Sequence, residues 1–197
     1  MTRMHRDDLT ELEIMIGDVE KVREARAWLP FDARVTSFLQ DLSREITNDR
    51  ALRKFPDLIA FGYWCRAANL MSLKTGDPIE TLRIGRGLAL HIPPANVPLN
   101  FAYSLAAGLL SGNSNVVRLS SRESEESEIL VQLLMRLLSQ AANTEMSDRI
   151  CLVKYERSDE LTSILSAFAD VRVIWGGDET DRKSTRLNSS HANISYA

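Results

Sequence analysis

The residues best suited to chemistry lie between Leu88 and Leu99, where a strand-like apolar run ends in a proline-rich loop. Asn96 lies in that loop, just before a helical pattern that begins near Pro98. Prolines on both sides of Asn96 restrict the backbone, so the side-chain amide is held in place by the covalent chain. A positioned amide can donate a hydrogen bond to the oxyanion formed during acyl transfer. Asn96 could instead cap the helix near Pro98, and the local sequence leaves both interpretations open.

Other residues with reactive side chains are more typical of a folded core. The chain has two cysteines, of which Cys65 lies in an aromatic helical stretch and Cys151 begins an apolar strand. We expect both to pack in the core rather than to act as nucleophiles. His91, at a strand end, is expected to be structural. Glutamates open the helix that follows residue 122, where they favour the helix dipole, so no metal site is predicted.

The first 80 residues are predicted to form a helical N-terminal segment. The apolar residues Leu9, Leu12, Ile14 and Ile16 are included in this helical region. A helix is indicated by helical spacing of the following apolar residues: Val35, Phe38, Leu39, Leu42 and Ile46. A second helix is predicted from Pro56 to Leu70, with the proline in its first turn.

Residues 81–181 alternate between short apolar strands and helices. The predicted strands cover residues 82–92, 115–119, 150–153 and 171–175. The predicted helices cover residues 98–110, 123–142 and 159–168. This order is typical of an α/β domain with a Rossmann-like parallel sheet and flanking helices, although no G-x-G-x-x-G fingerprint occurs. Residues 182–197 break the pattern, and from about Lys183 they resemble read-through of adapter DNA; we expect a foreign or disordered tail.

Composition excludes several classes of function. The 197 residues carry a net charge of -3, and the basic residues are scattered, so no nucleic-acid surface is indicated. The longest apolar runs fall short of the roughly 18 residues that a membrane span needs. With two cysteines and a charged N-terminus that does not look like a secretory signal, we expect a reduced, cytoplasmic protein.

Residues Ile92–Leu99, together with Ala106–Ser121, resemble the acyl-CoA reductase family, which includes the fatty-acid reductase of bacterial bioluminescence. That family belongs to the aldehyde dehydrogenase superfamily. The shared pattern is Pro-x-Asn-x-Pro, a helix, then Gly-Asn and a valine-rich strand. Further similar stretches are residues 55–57, 61–70 and 175–180, in the family's order.

The resemblance implies an NADPH-dependent reduction of a fatty acyl-CoA to the aldehyde through a cysteine acyl-enzyme. It implies that Asn96 is the oxyanion donor and that Pro94 and Ala95 lie at the cofactor. The nucleophilic cysteine of the family belongs to a second domain, so we expect this chain to be an inactive N-terminal part. A homo-oligomer and an acyl-transferase or synthetase partner are implied by the same resemblance.

Cofactor preference is expected from the residues aligned with the family's ribose-binding positions. Arg118 stands where a lysine is usual, and its planar guanidinium suits a phosphate. Ser121 replaces the glutamate of NAD-specific relatives, which would repel a 2′-phosphate. With Ser120, these residues favour NADPH, although Arg118 could be a solvated charge at a strand end. Gly176 and Gly177 are expected to let the backbone approach the pyrophosphate.

Two alternatives remain at the level of the sequence. One is another reductase of the superfamily, such as one acting on an acyl phosphate. The other is a non-catalytic nucleotide-binding module whose N-terminal helices dock a partner, which would not require the Asn96 loop.

Overall fold

A computed structural model describes residues 12–75, 82–122, 124–156, 158–175 and 192–196. The strands are β1 Glu13–Ile16, β2 Leu88–Ile92, β3 Ser114–Arg118, β4 Ile150–Lys154, β5 Val171–Trp175 and β6 Ala192–Tyr196. The helices are α1 Val19–Glu24, α2 Ala33–Asn48, α3 Pro56–Trp64, α4 Ala67–Thr75, α5 Asn100–Leu110, α6 Glu125–Leu138, α7 Thr144–Ser147 and α8 Asp159–Phe168. Short 3₁₀ helices cover Arg50–Lys54 and Ala141–Asn143.

The strands form a mostly parallel sheet in the order β1-β4-β3-β2-β5-β6. Strands β2 to β6 are parallel to one another, and β1 pairs antiparallel with β4. From β2 the chain runs outward through β3 to β4, then crosses back to place β5 on the other side of β2. The predicted α/β fold with a parallel sheet and flanking helices is confirmed.

Two apolar cores cover the two faces of the sheet. The larger core packs α2, α3, α5 and α6 against one face, through residues such as Phe38, Leu109 and Leu134. The smaller core packs α1 and α8 against the other face, around Val22 and Leu165. The N-terminal helices therefore share a core with the sheet. The boundary predicted at residue 80 lies outside the described residues.

Most of the predicted elements occur within a few residues of their expected bounds, because their apolar periodicity is regular. The strand predicted over residues 82–92 was wrong in its first half: β2 covers only Leu88–Ile92, and the apolar side chains of Leu82 and Ile84 before it are exposed rather than packed in a sheet. Residues 159–168 and 171–175 form α8 and β5 with the predicted ends. Helix α5 ends in two hydrogen bonds, from Gly112 N to Leu109 O and from Asn113 N to Gly108 O. These bonds require the φ of +83° that Gly112 adopts. The helix therefore ends where the glycine in the sequence predicted.

The helical prediction for the first apolar residues was wrong at Ile14 and Ile16. They lie in strand β1, where Ile14 pairs with Val153 and Ile16 with Leu152. The spacing of Leu12, Ile14 and Ile16 is an alternation of two residues, which suits a strand. A register shift between Ile14 and Ile16 leaves Ile14 46% exposed, whereas Ile16 is buried.

The single helix predicted from Pro56 to Leu70 is two helices. Helix α3 ends at Trp64, with Cys65 as its C-cap. The side chain of Asn69 donates to Trp64 O at 2.7 Å, which satisfies a carbonyl at the end of that helix.

The tail predicted for residues 182–197 is described only in part. Ala192–Tyr196 form β6 in parallel register with β5, from Val171↔Ala192 to Trp175↔Tyr196. Residues 182–191 and Ala197 lie outside the described residues. A foreign origin of the tail stays a prediction.

Candidate functional site

The site lies at the carboxyl ends of the central strands, where the order of the sheet reverses direction at β2. Strands β3 and β5 flank β2 on its two sides. In open α/β sheets this reversal opens a crevice outside the carboxyl ends, and ligands bind there. The loop of residues 93–98 leaves β2 at this edge, and Arg118 ends β3 beside it.

The loop of residues 93–98 is anchored by two serine hydroxyls from the next part of the chain. Ser120 Oγ donates to Ala95 O at 3.3 Å, and Ser127 Oγ donates to Pro98 O at 3.0 Å. Ser120, predicted at the cofactor, thus contacts the Asn96 loop, while Ser127 was not predicted. The contact of Ser127 depends on how α6 packs against the loop, and no sequence motif predicts that packing.

Asn96 is exposed at the middle of this loop. Helix α5 begins at Asn100 with Leu99 at its N-cap, and no side-chain cap bond is made there. The alternative reading of Asn96 as the helix cap is therefore wrong. Among the described residues the Asn96 amide has no hydrogen-bond partner, so it can donate to a group in the crevice.

Arg118 is held at the end of β3 by a residue that sequence reasoning missed. Its Nη2 donates to Tyr155 O at 3.3 Å, and its guanidinium carbon lies 4.5 Å from the centroid of the Tyr155 ring. Its Nε is buried without a partner among the described residues. The Tyr155 phenol contacts Thr162 Oγ1 at 3.2 Å, and burial raises its pKa. These contacts hold the guanidinium of Arg118 beside the crevice. The side chain is therefore more restricted than a solvated charge at a strand end would be.

The other predicted cofactor residues are less fully described. Pro94 and Ser121 are half-buried at the same edge of the sheet, and Ala95 is exposed. Gly176 and Gly177 lie outside the described residues. Among those that are described, the structure thus brings together Asn96, Ala95 and Ser120 within one pair of linked loops.

Neither cysteine is placed to act as a nucleophile. Both Cys65 and Cys151 are fully buried and free. Burial raises the pKa of each thiol to about 12. Because the thiolate is the nucleophilic form, these two cysteines are unreactive at neutral pH.

His91 is a buried residue of β2 with both ring nitrogens bonded. Nδ1 lies 2.7 Å from Ser104 Oγ, and Nε2 lies 2.9 Å from Asn115 Oδ1. Burial lowers the pKa of His91 to about 4. The imidazole is therefore neutral at physiological pH and is enclosed by protein, which agrees with a structural role.

The lowered pKa predicts a pH dependence of stability. Between pH 6.5 and about 4 the unfolded chain binds a proton at His91 that the folded chain does not. Stability is thus complete above pH 6.5 and falls with pH through this window, by up to about 3 kcal/mol. Urea unfolding of wild type and His91→Gln from pH 7 to pH 4 should show this slope in the wild type alone. Equal slopes in the two proteins would contradict it.

Residues 70–196, which is well over half of the chain, match the acyl-CoA reductase (LuxC) family. The chain belongs to the acyl-CoA reductase family. Long-chain acyl-protein thioester reductase 2 of Photobacterium leiognathi is 28% identical over 112 residues, covering 55% of this chain and 23% of that protein. A long-chain acyl-protein thioester reductase of Aliivibrio fischeri is 24% identical over 109 residues, covering 55% and 22%.

Aldehyde dehydrogenases of known structure have the same fold as this chain. An NAD-dependent benzaldehyde dehydrogenase from Corynebacterium glutamicum has a TM-score of 0.66 at 14% identity, covering 94% of this chain and 51% of that one. A Mycobacterium tuberculosis aldehyde dehydrogenase complexed with NAD+ also has a TM-score of 0.66 at 14% identity, covering 90% and 42%. The fold is thus that of the aldehyde dehydrogenases. The chain spans about a quarter of the length of its curated relatives.

Among the helices described, none combines the length and apolar character needed to cross a bilayer.

Proposed function

We propose that this chain is the nucleotide-binding part of an NADPH-dependent reductase that converts a long-chain acyl thioester to the aldehyde. Membership of the acyl-CoA reductase family and the aldehyde dehydrogenase fold support this proposal. The two curated relatives are both named thioester reductases, which favours a thioester over an acyl phosphate as the substrate.

The observation that carries the proposal is the Asn96 amide, which has no hydrogen-bond partner in the part of the chain that the structure describes. It is exposed at the carboxyl end of β2, and its loop is tied down by Ser120 and Ser127. An anchored donor loses little entropy when an oxyanion forms beside it, so it stabilises the transition state more than the ground state. A non-catalytic nucleotide-binding module would have no use for such a donor.

The residues at the end of β3 fit a 2′-phosphorylated dinucleotide. Arg118 keeps its Nε unpaired among the described residues and its charge fixed against Tyr155. We place the 2′-phosphate next to Arg118 and Ser121, because a guanidinium donates to phosphate and no carboxylate stands at position 121 to repel it. NADPH, when bound, supplies the hydride that reduces the acyl group.

The acyl group itself must be held by a thiolate outside these 197 residues, since Cys65 and Cys151 are both buried with raised pKa values. That thiolate attacks the thioester carbonyl, and the thiol of coenzyme A or of a carrier protein leaves. Asn96 donates to the carbonyl oxygen as its negative charge develops. The acyl-transferring partner and the homo-oligomer implied by the family belong to this proposal as well.

Replacing Arg118 with alanine is expected to weaken NADPH binding by tenfold or more, which is about 1.4 kcal/mol or more. The 2′-phosphate loses its charged donor, whereas NADH lacks this phosphate and should lose little. Isothermal titration calorimetry of both nucleotides, with the wild type and the variant, measures the difference. Arg86→Ala is the matched control, because Arg86 is exposed just before β2, at the opposite edge of the sheet.

Equal loss of NADPH and NADH affinity in Arg118→Ala would contradict the assignment of the 2′-phosphate to this residue. Absence of NADPH binding by the wild type, with the fold intact by circular dichroism, would contradict the cofactor proposal itself. In a full-length reductase that contains these residues, a preference for acyl phosphate over acyl-CoA would contradict the proposed substrate.

A further inference from the structure

A chain of buried polar side chains crosses the sheet directly behind the candidate site. Trp175 Nε1 donates to Ser104 Oγ at 2.8 Å, and Ser104 Oγ lies 2.7 Å from His91 Nδ1. His91 Nε2 lies 2.9 Å from Asn115 Oδ1, and Asn115 Nδ2 donates to Asn113 O at 2.9 Å. His91, Ser104 and Asn115 are at most 1% exposed. These hydrogen-bonded side chains, called the polar chain below, thus join β5, α5, β2 and β3.

The positions of donors and acceptors allow one proton arrangement along this chain. Because Asn115 Nδ2 donates to Asn113 O, its Oδ1 faces His91 and accepts from Nε2–H. His91 Nδ1 then carries no proton and accepts from the Ser104 hydroxyl. The Trp175 indole can only donate, and Ser104 Oγ accepts its proton. Every bond has one donor and one acceptor.

These hydrogen-bonded side chains reach the carboxyl ends of β2 and β5, next to the Asn96 loop. His91 is the fourth of the five residues of β2, and the loop that carries Asn96 starts two residues later. Trp175 is the last residue of β5, directly before Gly176. Ser104 lies on α5, the helix that the Asn96 loop leads into. The chain therefore fixes the relative positions of the two strand ends and this helix.

Filling a core with polar side chains costs free energy unless each buried polar group has a hydrogen-bond partner. Apolar side chains would pack these elements equally well but would allow small shifts between them. Hydrogen bonds of defined direction set distance and orientation together. This explains their presence directly behind the loop that carries Asn96.

We propose that His91, Ser104 and Asn115 are positioning residues that hold the Asn96 loop and the carboxyl end of β5 in the geometry that binds the dinucleotide. The inference rests on the proposed function for the identity of that ligand. The holding of the loop itself can be measured without any nucleotide.

The first measurement is the protonation of the imidazole in the wild type. Long-range ¹H–¹⁵N NMR should show the proton of His91 on Nε2, with Nδ1 as an acceptor. Ser104→Ala should shift the Nδ1 resonance strongly, because it loses its donor. A proton on Nδ1 in the wild type would overturn the proposal.

The second measurement concerns the loop. In Ser104→Ala, the backbone order parameters of Ala95, Asn96 and Val97 should fall from about 0.85 toward 0.6. NADPH affinity should fall about tenfold. Ser111→Ala is the matched control, since Ser111 is the exposed C-cap of the same helix and its hydroxyl donates to Ala107 O at 2.8 Å. Ser104→Thr, which keeps the hydroxyl, should restore both readouts.

The outcomes separate this inference from the proposed function. Loop mobility that rises in Ser104→Ala while the wild type binds no NADPH would support the positioning role and overturn the cofactor. Unchanged order parameters and affinity in a folded Ser104→Ala would overturn the positioning role. If that variant does not fold, Trp175→Phe removes the indole N–H that donates to Ser104 Oγ, and the same readouts decide.

Discussion

Replacing Gly108 with alanine is expected to lower the free energy of unfolding by about 4 kcal/mol, although alanine is the better helix former. Gly108 lies in α5, where the helix passes over the polar chain. A Cβ at this position would lie 2.0 Å from Asn115 Oδ1 and 2.7 Å from His91 Nε2. The added methyl group would therefore break the bond between these two atoms and leave both buried and unpaired.

Helix propensity alone predicts the opposite sign, a gain of about 1 kcal/mol for glycine to alanine in a helix interior. Urea unfolding of wild type and Gly108→Ala, followed by circular dichroism, distinguishes the two. A variant as stable as the wild type, or more stable, would show that α5 can move away from β2 and β3 at little cost.

A double-mutant cycle assigns this loss to the contact with Asn115. Asn115→Ala removes the oxygen that the new Cβ would meet, so its own cost and that of Gly108→Ala should add to more than the cost of the double variant. The expected coupling is about 1 kcal/mol or more. Strict additivity would place the strain of Gly108→Ala elsewhere in the helix.

The fold was readable from the sequence where the apolar pattern is long and regular. Helix α6 carries six buried leucine and valine residues on one face, and α8 and β5 have the bounds that the sequence predicts. Strand β1 was not readable, because it has four residues and pairs with β4, far along the chain. So short a pattern does not distinguish strand from helix, and its pairing partner cannot be inferred locally.

The part of the candidate site that the sequence could predict is the loop around Asn96, because covalent structure stiffens it. The prolines around Asn96 predict a stiff loop. In the structure the Asn96 side chain does not cap helix α5, so its amide can still donate a hydrogen bond. The partner of Arg118 was not readable. Arg118 pairs with Val153 across β3 and β4, and this register places Tyr155 just past the strand end, beside the guanidinium. Register depends on how the strands pair in three dimensions, which no single segment encodes.

The same limit applies to the polar chain behind the site. His91 could be assigned a structural role from its position in a strand, but its partners lie on α5 and β3. Ser104 and Asn115 are ordinary residues in their own segments. The packing of α5 on the sheet brings these side chains within hydrogen-bonding distance of His91. The same packing explains why residue 108 is a glycine, because a Cβ there would collide with Asn115 Oδ1.

Replacing Asn96 with alanine in a full-length reductase that contains these residues is expected to lower kcat about 10²- to 10³-fold, equivalent to about 2.7–4 kcal/mol of transition-state stabilisation. The amide is exposed on an anchored loop, and in the proposed mechanism it donates to the carbonyl oxygen as this becomes an oxyanion. Since that charge is absent from the ground state, KM for the acyl thioester and Kd for NADPH should change little. Single-turnover kinetics of aldehyde formation measures the effect on the chemical step.

Two variants separate the loss of the donor from damage to the loop. Asn96→Asp keeps the size of the side chain, but its ionised carboxylate cannot donate and would repel the oxyanion, so kcat should fall at least as far as in Asn96→Ala. Val97→Ala changes the neighbouring residue, which is 48% exposed, and should leave kcat near the wild-type value. If Asn96→Ala kept its kcat while NADPH affinity fell, Asn96 would contact the cofactor instead, and the oxyanion donor would have to come from another part of the protein.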